Sequence, residues 1–200
     1  EKIILELGMI ANKNLETTIE TRYNIRMIEK TISSKPIYKG RILDLRVETV
    51  MGPNGPTTRE IIDHAPAVTI LPYASENEIY LIHQFRKAVN EVLIEAPAGC
   101  IEPNEDTLIA AKRELQEETG FIANTMTKVA EMYMAPGFCN EFMTIFLATE
   151  LTHGKTQFDS DEIMELKSYS LDQLEQLIKS HQIKDAKTII AINSLRQTLK

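Results

Sequence analysis

The sequence predicts an α+β fold, an α/β/α sandwich in which a mixed β-sheet lies between helical layers. Many short strand-like segments occupy the middle of the chain, separated by Pro, Gly and Asn. One helical segment interrupts them and two more close the chain. Hydrophobic residues make up 43% of the 200 residues, which is enough to bury the core of one main domain.

The strand assignments rest on side-chain alternation. Leu43, Leu45 and Val47 alternate with polar residues, which predicts a half-buried strand over 43–50, and the Gly and Pro residues of 52–56 predict a turn after it. Further strands are predicted over 58–63, 67–73, 78–85, 92–95, 129–134, 142–151 and 163–169. Helices are predicted over 106–119, 171–180 and 185–199, and residues 1–26 are expected to be a variable extension.

Composition excludes several classes of partner. The net charge is -7 and no basic stripe is visible, which argues against a nucleic-acid surface. No apolar run reaches the roughly 20 residues that cross a bilayer, and no export signal is evident at the start, so no membrane partner is expected. The two cysteines, Cys100 and Cys139, lack metal-ligand spacing, and we therefore expect a reducing, cytoplasmic location.

Residues 99–121 form the segment with the strongest chemical signal. Leu108, Ala111 and Leu115 fall within one arc of the predicted helix, which we expect to pack on the sheet while the acidic residues face elsewhere. Gly99 and Gly120 bracket the helix, where glycine permits close approaches or backbone angles that a Cβ forbids.

Three carboxylates on this helix are spaced for a shared cation. Glu114, Glu117 and Glu118 are three and four residues apart, so they repel one another unless a divalent metal lies among them. Arg113 beside them can hold one carboxylate in a bidentate pair, which gives it an orienting role. The alternative, a solvated acidic helix face, is the usual meaning of an isolated Glu-Glu pair.

The full spacing favours the metal site. The segment satisfies the signature of the Nudix family at every position. That signature is met by Gly99, five residues, Glu105, seven residues, Arg113-Glu114-Leu115, one residue, Glu117-Glu118, one residue and Gly120-Phe121. The chain therefore resembles the Nudix hydrolases, which implies a Nudix fold and Mg²⁺-dependent cleavage of a diphosphate in a small nucleotide derivative.

From about residue 31 to 199 the chain also resembles the ADP-ribose pyrophosphatases, through Glu95-Ala96-Pro97-Ala98-Gly99 just before the signature. That resemblance implies that the Ala98 carbonyl joins Glu114, Glu117 and Glu118 as metal ligands. Such an all-oxygen set suits Mg²⁺, with Mn²⁺ as a possible substitute. The implied reaction converts ADP-ribose to AMP and ribose 5-phosphate.

The resemblance extends to residues expected to contact the substrate. Ala135-Pro136-Gly137-Phe138-Cys139-Asn140-Glu141 is similar to a second marker of the subfamily, although serine is commoner where Ala135 stands. It implies that Pro136, Gly137 and Glu141 contact the substrate, whereas a plain turn between strands is the alternative for Pro136-Gly137.

Two arginines are assigned by the same resemblance. Arg86, in His83-Gln84-Phe85-Arg86, is expected to bind the phosphate or ribose side of the nucleotide by its forked donors. Arg59 and Glu60 are expected near the adenine end, often across a dimer interface, with a surface salt bridge as an equally weighted alternative.

The general base is assigned least sharply. The subfamily uses an acid on a late loop, which here corresponds to Phe158-Asp159-Ser160-Asp161-Glu162. Glu162 is favoured, with Asp161 and Asp159 as alternatives, and a helix cap or solvated turn is the competing interpretation. Glu117 and Arg113 complete the implied catalytic set.

The resemblance also implies a homodimer, with residues 1–58 as an N-terminal strand extension that forms the dimer and residues 59–200 as the hydrolase domain. Two other functions stay open. One is hydrolysis of another nucleotide sugar, such as GDP-mannose or ADP-glucose, on the same scaffold. The other is a non-catalytic Nudix module that senses nucleotides, which the retained acidic residues disfavour.

Overall fold

A computed structural model describes residues 28–154 and 164–199 of the chain. By its internal contacts the chain divides into two units. Of the described residues, the first unit contains 28–39 and Asp44–Ile61, and the second contains Gly40–Leu43 and those from Ile62 onward. Each unit is described separately.

The first unit is built on a three-stranded sheet in the order β1-β2-β3. Its strands are β1 (Lys30–Lys39), β2 (Leu43–Gly52) and β3 (Gly55–His64), the last of which continues into the second unit. β2 and β3 are joined by the predicted turn. β1 pairs antiparallel with β2 but was not predicted, because two register irregularities break its alternation and all ten of its residues are exposed.

The second unit contains the predicted mixed sheet. Its main path runs in the order β10-β5-β4-β9-β8, with β6 paired to β5 and β7 paired to β4. β4 and β9 are parallel, whereas β5 pairs antiparallel with β10, β4 and β6, β4 with β7, and β8 with β9. The strands are β4 (Ala67–Ser75), β5 (Glu78–Arg86), β6 (Glu91–Glu95), β7 (Ala98–Cys100), β8 (Phe121–Tyr133), β9 (Phe142–His153) and β10 (Met164–Tyr169).

Three helices pack on this sheet, and all three were predicted to within a residue at each end. They are α1 (Thr107–Thr119), α2 (Leu171–Lys179) and α3 (Ala186–Thr198). Each begins after a side chain that caps its first backbone N–H groups, namely Asp106, Ser170 and Asp185. Within the described residues, none of the helices is long and apolar enough to cross a membrane.

The core lies on both faces of the sheet, as the sandwich prediction requires. On one face, Val68 and Ile70 of β4 pack with Ala110, Ala111 and Leu115 of α1. On the other face, Leu71 of the same strand packs with residues of α2 and α3, among them Leu174, Ile192 and Leu195. β4 therefore supplies alternate side chains to two helical layers, and the site of interest lies at the α1 layer.

The prediction for the buried face of α1 was partly wrong. Leu108 is 39% exposed, whereas Glu114 and Glu118 are only 9% and 7% exposed. At 100° per residue the buried arc is centred near Ala111 and Glu118, and Leu108 lies at its edge in the first turn. Two of the carboxylates expected to face away from the packed surface are therefore part of it.

Candidate metal-binding active site

The signature residues line one cavity of about 550 Å³ in the second unit. Five acidic and three basic side chains line this cavity, so it carries an excess of negative charge. The acidic ones are Glu114, Glu117, Glu118, Glu141 and Asp185, and the basic ones are Arg86, Arg113 and Lys187. An excess of carboxylates in a concave site is the electrostatic setting in which a hard cation binds.

The two signature glycines have different structural duties. Gly120 ends α1 in the left-handed region, with φ 73°, and its N–H donates to the Gln116 carbonyl at 2.8 Å. At Gly99 a Cβ would overlap the Glu114 carboxylate, so glycine is what allows that carboxylate its observed position. Both expectations for these glycines, a backbone angle and a close approach, are confirmed.

Arg113 forms the centre of an ion-pair network. Its Nε and Nη2 donate to the two oxygens of Glu105, each at 2.9 Å, so its bidentate partner is Glu105 and not one of the three acids predicted to bind metal. Its Nη1 donates to Glu114 at 2.6 Å and to Glu117 at 3.0 Å. The Arg113 guanidinium holds the pKa of Glu105 below its usual value, and the hydrogen bond to Glu105 raises the pKa of Arg113.

Glu118 connects α1 to β7. Its Oε2 accepts a hydrogen bond from the Ala98 backbone N–H at 3.0 Å. Ala98 is paired with Thr69 of β4, so its peptide is fixed from the sheet side as well. Glu118 and the Ala98 carbonyl, two of the four groups predicted to bind metal, therefore belong to adjacent and mutually attached elements.

The donor chemistry of this cavity fits a hard divalent cation. Glu114, Glu117, Glu118 and Ala98 all line it and offer only oxygen atoms. As the side chains stand, no three His, Cys, Asp or Glu side chains in residues 28–154 and 164–199 converge closely enough to hold an ion. Arg113 Nη1 contacts both Glu114 and Glu117, so a positive group already bridges two of the carboxylates.

Arg86 lines the cavity, but its guanidinium binds a carboxylate of the protein, whereas the prediction was a contact with the nucleotide. Nε and Nη2 donate to the two oxygens of Glu95, each at 2.9 Å, and Lys187 binds the same carboxylate. Glu95 is 1% exposed. Burial raises its pKa, but Arg86 and Lys187 outweigh burial and hold it below the usual value. The Nε–Nη2 edge of Arg86 is therefore bound to Glu95.

The second marker is divided between cavity and surface. Glu141 lines the cavity, whereas Pro136 and Gly137 are exposed and are not among its lining residues. The Ala135 carbonyl accepts from Phe138 at 3.1 Å and from Cys139 at 2.9 Å, which is the turn considered as the alternative. These two residues were assigned to the substrate, and in this structure they form a surface turn.

Asn140 fixes the same loop to the start of the second unit. Its Oδ1 accepts from the His64 N–H at 2.8 Å, and its Nδ2 donates to Asp63 at 2.8 Å. His64 itself lines the cavity. This attachment explains how Glu141, next in the chain, is held at the cavity wall.

Arg59 and Glu60 belong to the first unit. Both are exposed, and Arg59 donates through its Nε to Glu29 at 2.9 Å and through its Nη2 to the same carboxylate. This pair raises the pKa of Arg59. The surface salt bridge weighed for Arg59 is thus present. Asp159, Asp161 and Glu162 lie outside the described residues.

Sequence reasoning missed several residues that line the cavity. Among them are His64, Cys100, Met134, Asp185 and Lys187. Asp185 could have been found as the start of the last predicted helix. Lys187 carried no signal, because its ion-pair partner Glu95 is 92 residues away in the chain.

Residues 63–191 match the NUDIX domain, and this span contains all the α1 and β7 residues of the cavity. The chain belongs to the Nudix family. It is 40% identical to the ADP-ribose pyrophosphatase of Bacillus subtilis (strain 168), over 84% of this chain and 92% of that protein. Family membership and the resemblance to this subfamily, both predicted from residues 95–121, are confirmed.

Two further comparisons extend this result. The chain is 37% identical to the methanol dehydrogenase activator of Bacillus methanolicus, over 84% of this chain and 92% of that protein. A crystal structure of an ADP compounds hydrolase superposes with a TM-score of 0.75 at 24% identity, covering 86% of this chain and 94% of the other. The second comparison confirms the fold class, an α+β Nudix fold with a mixed sheet.

Proposed function

We propose that this Nudix protein hydrolyses the diphosphate bond of ADP-ribose, adding one water to release AMP and ribose 5-phosphate. The observation that carries the proposal is the gathering of Glu114, Glu117, Glu118 and Ala98 around one cavity with an excess of negative charge. The identity of 40% with an ADP-ribose pyrophosphatase over most of both chains supports the choice of substrate.

In this proposal Ala98, through its carbonyl, and the three glutamates would hold Mg²⁺, with Mn²⁺ able to replace it. When bound, such ions neutralise diphosphate charge and lower the pKa of water. Arg113 orients the acids: its contacts to Glu105, Glu114 and Glu117 fix their rotamers and keep a guanidinium charge among them. Glu117 is the most accessible of the three, with a side chain 39% exposed.

The proton released when water attacks phosphorus needs an acceptor. We propose Glu162 as that base, with Asp161 and Asp159 as the alternatives from the same sequence segment. Substitution of each acid by its amide separates the three, because only loss of the base should remove the acidic limb of the pH–rate profile together with most of kcat.

Substrate contacts are proposed for Arg86 and Glu141 at the cavity wall, and for Pro136 and Gly137 beside Glu141. Because the Nε–Nη2 edge of Arg86 is bound to Glu95, Arg86 is proposed to attract the anion through its charge. Arg59 and Glu60 are proposed near the adenine end, in a homodimer. The proposed location is the cytoplasm.

Substitution of Glu118 tests the metal assignment. Glu118→Gln keeps the shape of the side chain but removes its charge, so we expect kcat/KM to fall at least a hundredfold, with AMP release measured against Mg²⁺ concentration. Glu131→Gln is the matched control, because Glu131 is exposed and forms a surface ion pair with Lys128 outside the cavity. Near-normal turnover of Glu118→Gln would contradict the proposal.

A substrate panel tests the choice of nucleotide sugar. ADP-ribose, ADP-glucose and GDP-mannose should be compared at equal concentration with Mg²⁺ and with Mn²⁺, and we expect ADP-ribose to have the highest kcat/KM. A non-catalytic sensor would bind ADP-ribose without releasing AMP. Removal of divalent ions by EDTA should abolish AMP release, and added Mg²⁺ should restore it.

A further inference from the structure

The first turn of the C-terminal helix α3 is attached to the segment that carries Ala98. Thr188 in this turn is fully buried, and its Oγ1 accepts a hydrogen bond from the Ala96 N–H at 2.7 Å. The same hydroxyl donates to Asp185 Oδ2 at 2.5 Å. Because the hydroxyl proton is committed to Asp185, a lone pair of Oγ1 is left facing the Ala96 N–H.

A charged contact beside it joins the same two segments. Lys187 Nζ binds the Glu95 carboxylate and lies 3.0 Å from Asp185 Oδ1, and its side chain is only 10% exposed. Buried charges persist only when they are paired, so this arrangement fixes both partners. Residues 95 and 96 are thus held by α3 through one ion pair and one hydrogen bond.

The attachment is two residues from the proposed carbonyl ligand. Pro97 lies between, with a restricted φ, and its carbonyl accepts from the Ile70 N–H at 2.8 Å. Ala98 then donates to Glu118. The segment Ala96–Ala98 is therefore stiff and is held by α3 at its start, by β4 in the middle and by α1 at its end.

We infer that Thr188, held by Asp185, is a positioning residue for the metal site, acting through Ala96 to set the direction of the Ala98 carbonyl. The inference rests on the proposed function, because it presumes that Ala98 binds a metal. Helix capping alone does not account for the contact: Asp185 already accepts from the Thr188 N–H at 3.0 Å, so the bond from Ala96 is additional to the cap.

Thr188→Val tests this positioning role, because valine has the same shape but no hydroxyl. We expect Mn²⁺ affinity of the free protein, measured by calorimetric titration, to fall roughly tenfold, the size typical of lost outer contacts to a metal ligand. The Mg²⁺ concentration for half-maximal activity should rise in parallel, with KM for substrate unchanged at saturating Mg²⁺. Thr188→Ser retains the hydroxyl and should retain the wild-type metal affinity.

Ile192→Val is the matched control for a purely structural effect. Ile192 is fully buried one turn later in the same helix, and shortening its side chain lowers stability without removing a hydrogen bond. The inference is overturned if Thr188→Val binds Mn²⁺ as the wild type does, or if Ile192→Val weakens Mn²⁺ binding equally. A wild-type protein that binds no Mn²⁺ would instead contradict the proposed function.

Discussion

At the scale of single residues, Gly99 is the most constrained position of the site. A Cβ at Gly99 would overlap the Glu114 carboxylate, which is the far end of a flexible side chain and can move. We therefore expect Gly99→Ala to leave the fold intact but to displace a proposed metal ligand, lowering kcat/KM at least tenfold. Steady-state kinetics and urea unfolding of the same preparations measure the two effects.

A double-mutant cycle shows whether Gly99 acts through Glu114. If it does, Gly99→Ala should cost little further activity in a Glu114→Gln background, because the displaced carboxylate is already neutralised. Additive losses in the double variant would mean that Gly99 matters for a different reason. A large drop in the unfolding free energy of Gly99→Ala alone would contradict the expectation as well.

The residues of the site differ in how far along the sequence their contact partners lie. Glu114, Glu117, Glu118 and Arg113 lie on one helix, so their proximity follows from the 3.6-residue repeat and could be predicted. The contact of Thr188 with Ala96 spans 92 residues, and no local pattern encodes it. Arg86, predicted as a substrate contact, lines the cavity, but its engagement with Glu95 depends on the same long-range packing.

At the scale of elements, the pairing of β5 with β10 contains a titratable contact. His83 Nε2 lies 2.6 Å from the Tyr169 hydroxyl, and the two rings are stacked at 6.3 Å. Burial, with a smaller contribution from the charge of Lys167, lowers the pKa of His83 below 6.5, while Glu165 opposes the shift. The folded protein thus favours neutral His83.

The sign of this shift predicts how stability depends on pH. At pH values between the lowered pKa of His83 in the folded protein and about 6.5, the unfolded chain binds more protons than the folded one. The free energy of unfolding therefore rises with pH across this window and falls as pH is lowered through it. We expect the unfolding free energy of the wild type to fall more from pH 7.5 to 5.5 than that of His83→Phe. This variant has an aromatic side chain that does not titrate. Urea unfolding at three pH values measures this, and equal slopes for both proteins would contradict it.

Secondary-structure elements were predicted well where burial of one or both faces gives the sequence a recognisable hydrophobic pattern. β4, β5 and β9 are buried strands bounded by turn residues, and all were predicted at nearly their observed positions. β8 was predicted only over 129–134, because its first half, with Asn124, Thr125 and Thr127, is polar and a bulge interrupts its pairing with β9. Strands that are stabilised mainly by backbone pairing leave little trace in side-chain pattern.

At the scale of the whole molecule, the layer architecture followed from the order of elements. One helix between strands and two after them predicted helices on both faces of a mixed sheet, and the alternation of β4 between the two cores is what that order requires. The parallel pairing of β4 with β9 could not be predicted, because their register joins residues about 76 positions apart, as between Ala67 and Met143.

In the proposed homodimer, the exposed apolar residues of β1 are expected to lie in the subunit interface. Ile32 and Ile37 are 52% and 49% exposed on a strand whose residues are all exposed, and burying them against a second copy would remove apolar surface from water. We expect the wild type to sediment with twice the mass of the chain. The variant carrying Ile32→Glu and Ile37→Glu should sediment as a monomer, because its dimer interface would have to bury four unpaired charges.

The same variant tests whether the dimer completes the site. If Arg59 and Glu60 reach the adenine end across the interface, the monomer should lose affinity for ADP-ribose, seen as a KM increase of at least tenfold, while Mn²⁺ binding at Glu114, Glu117 and Glu118 is retained. Val92→Glu is the control, since Val92 is 60% exposed in the second unit and should leave the mass unchanged. A wild type that sediments as a monomer with full activity would show that one chain is sufficient for the reaction.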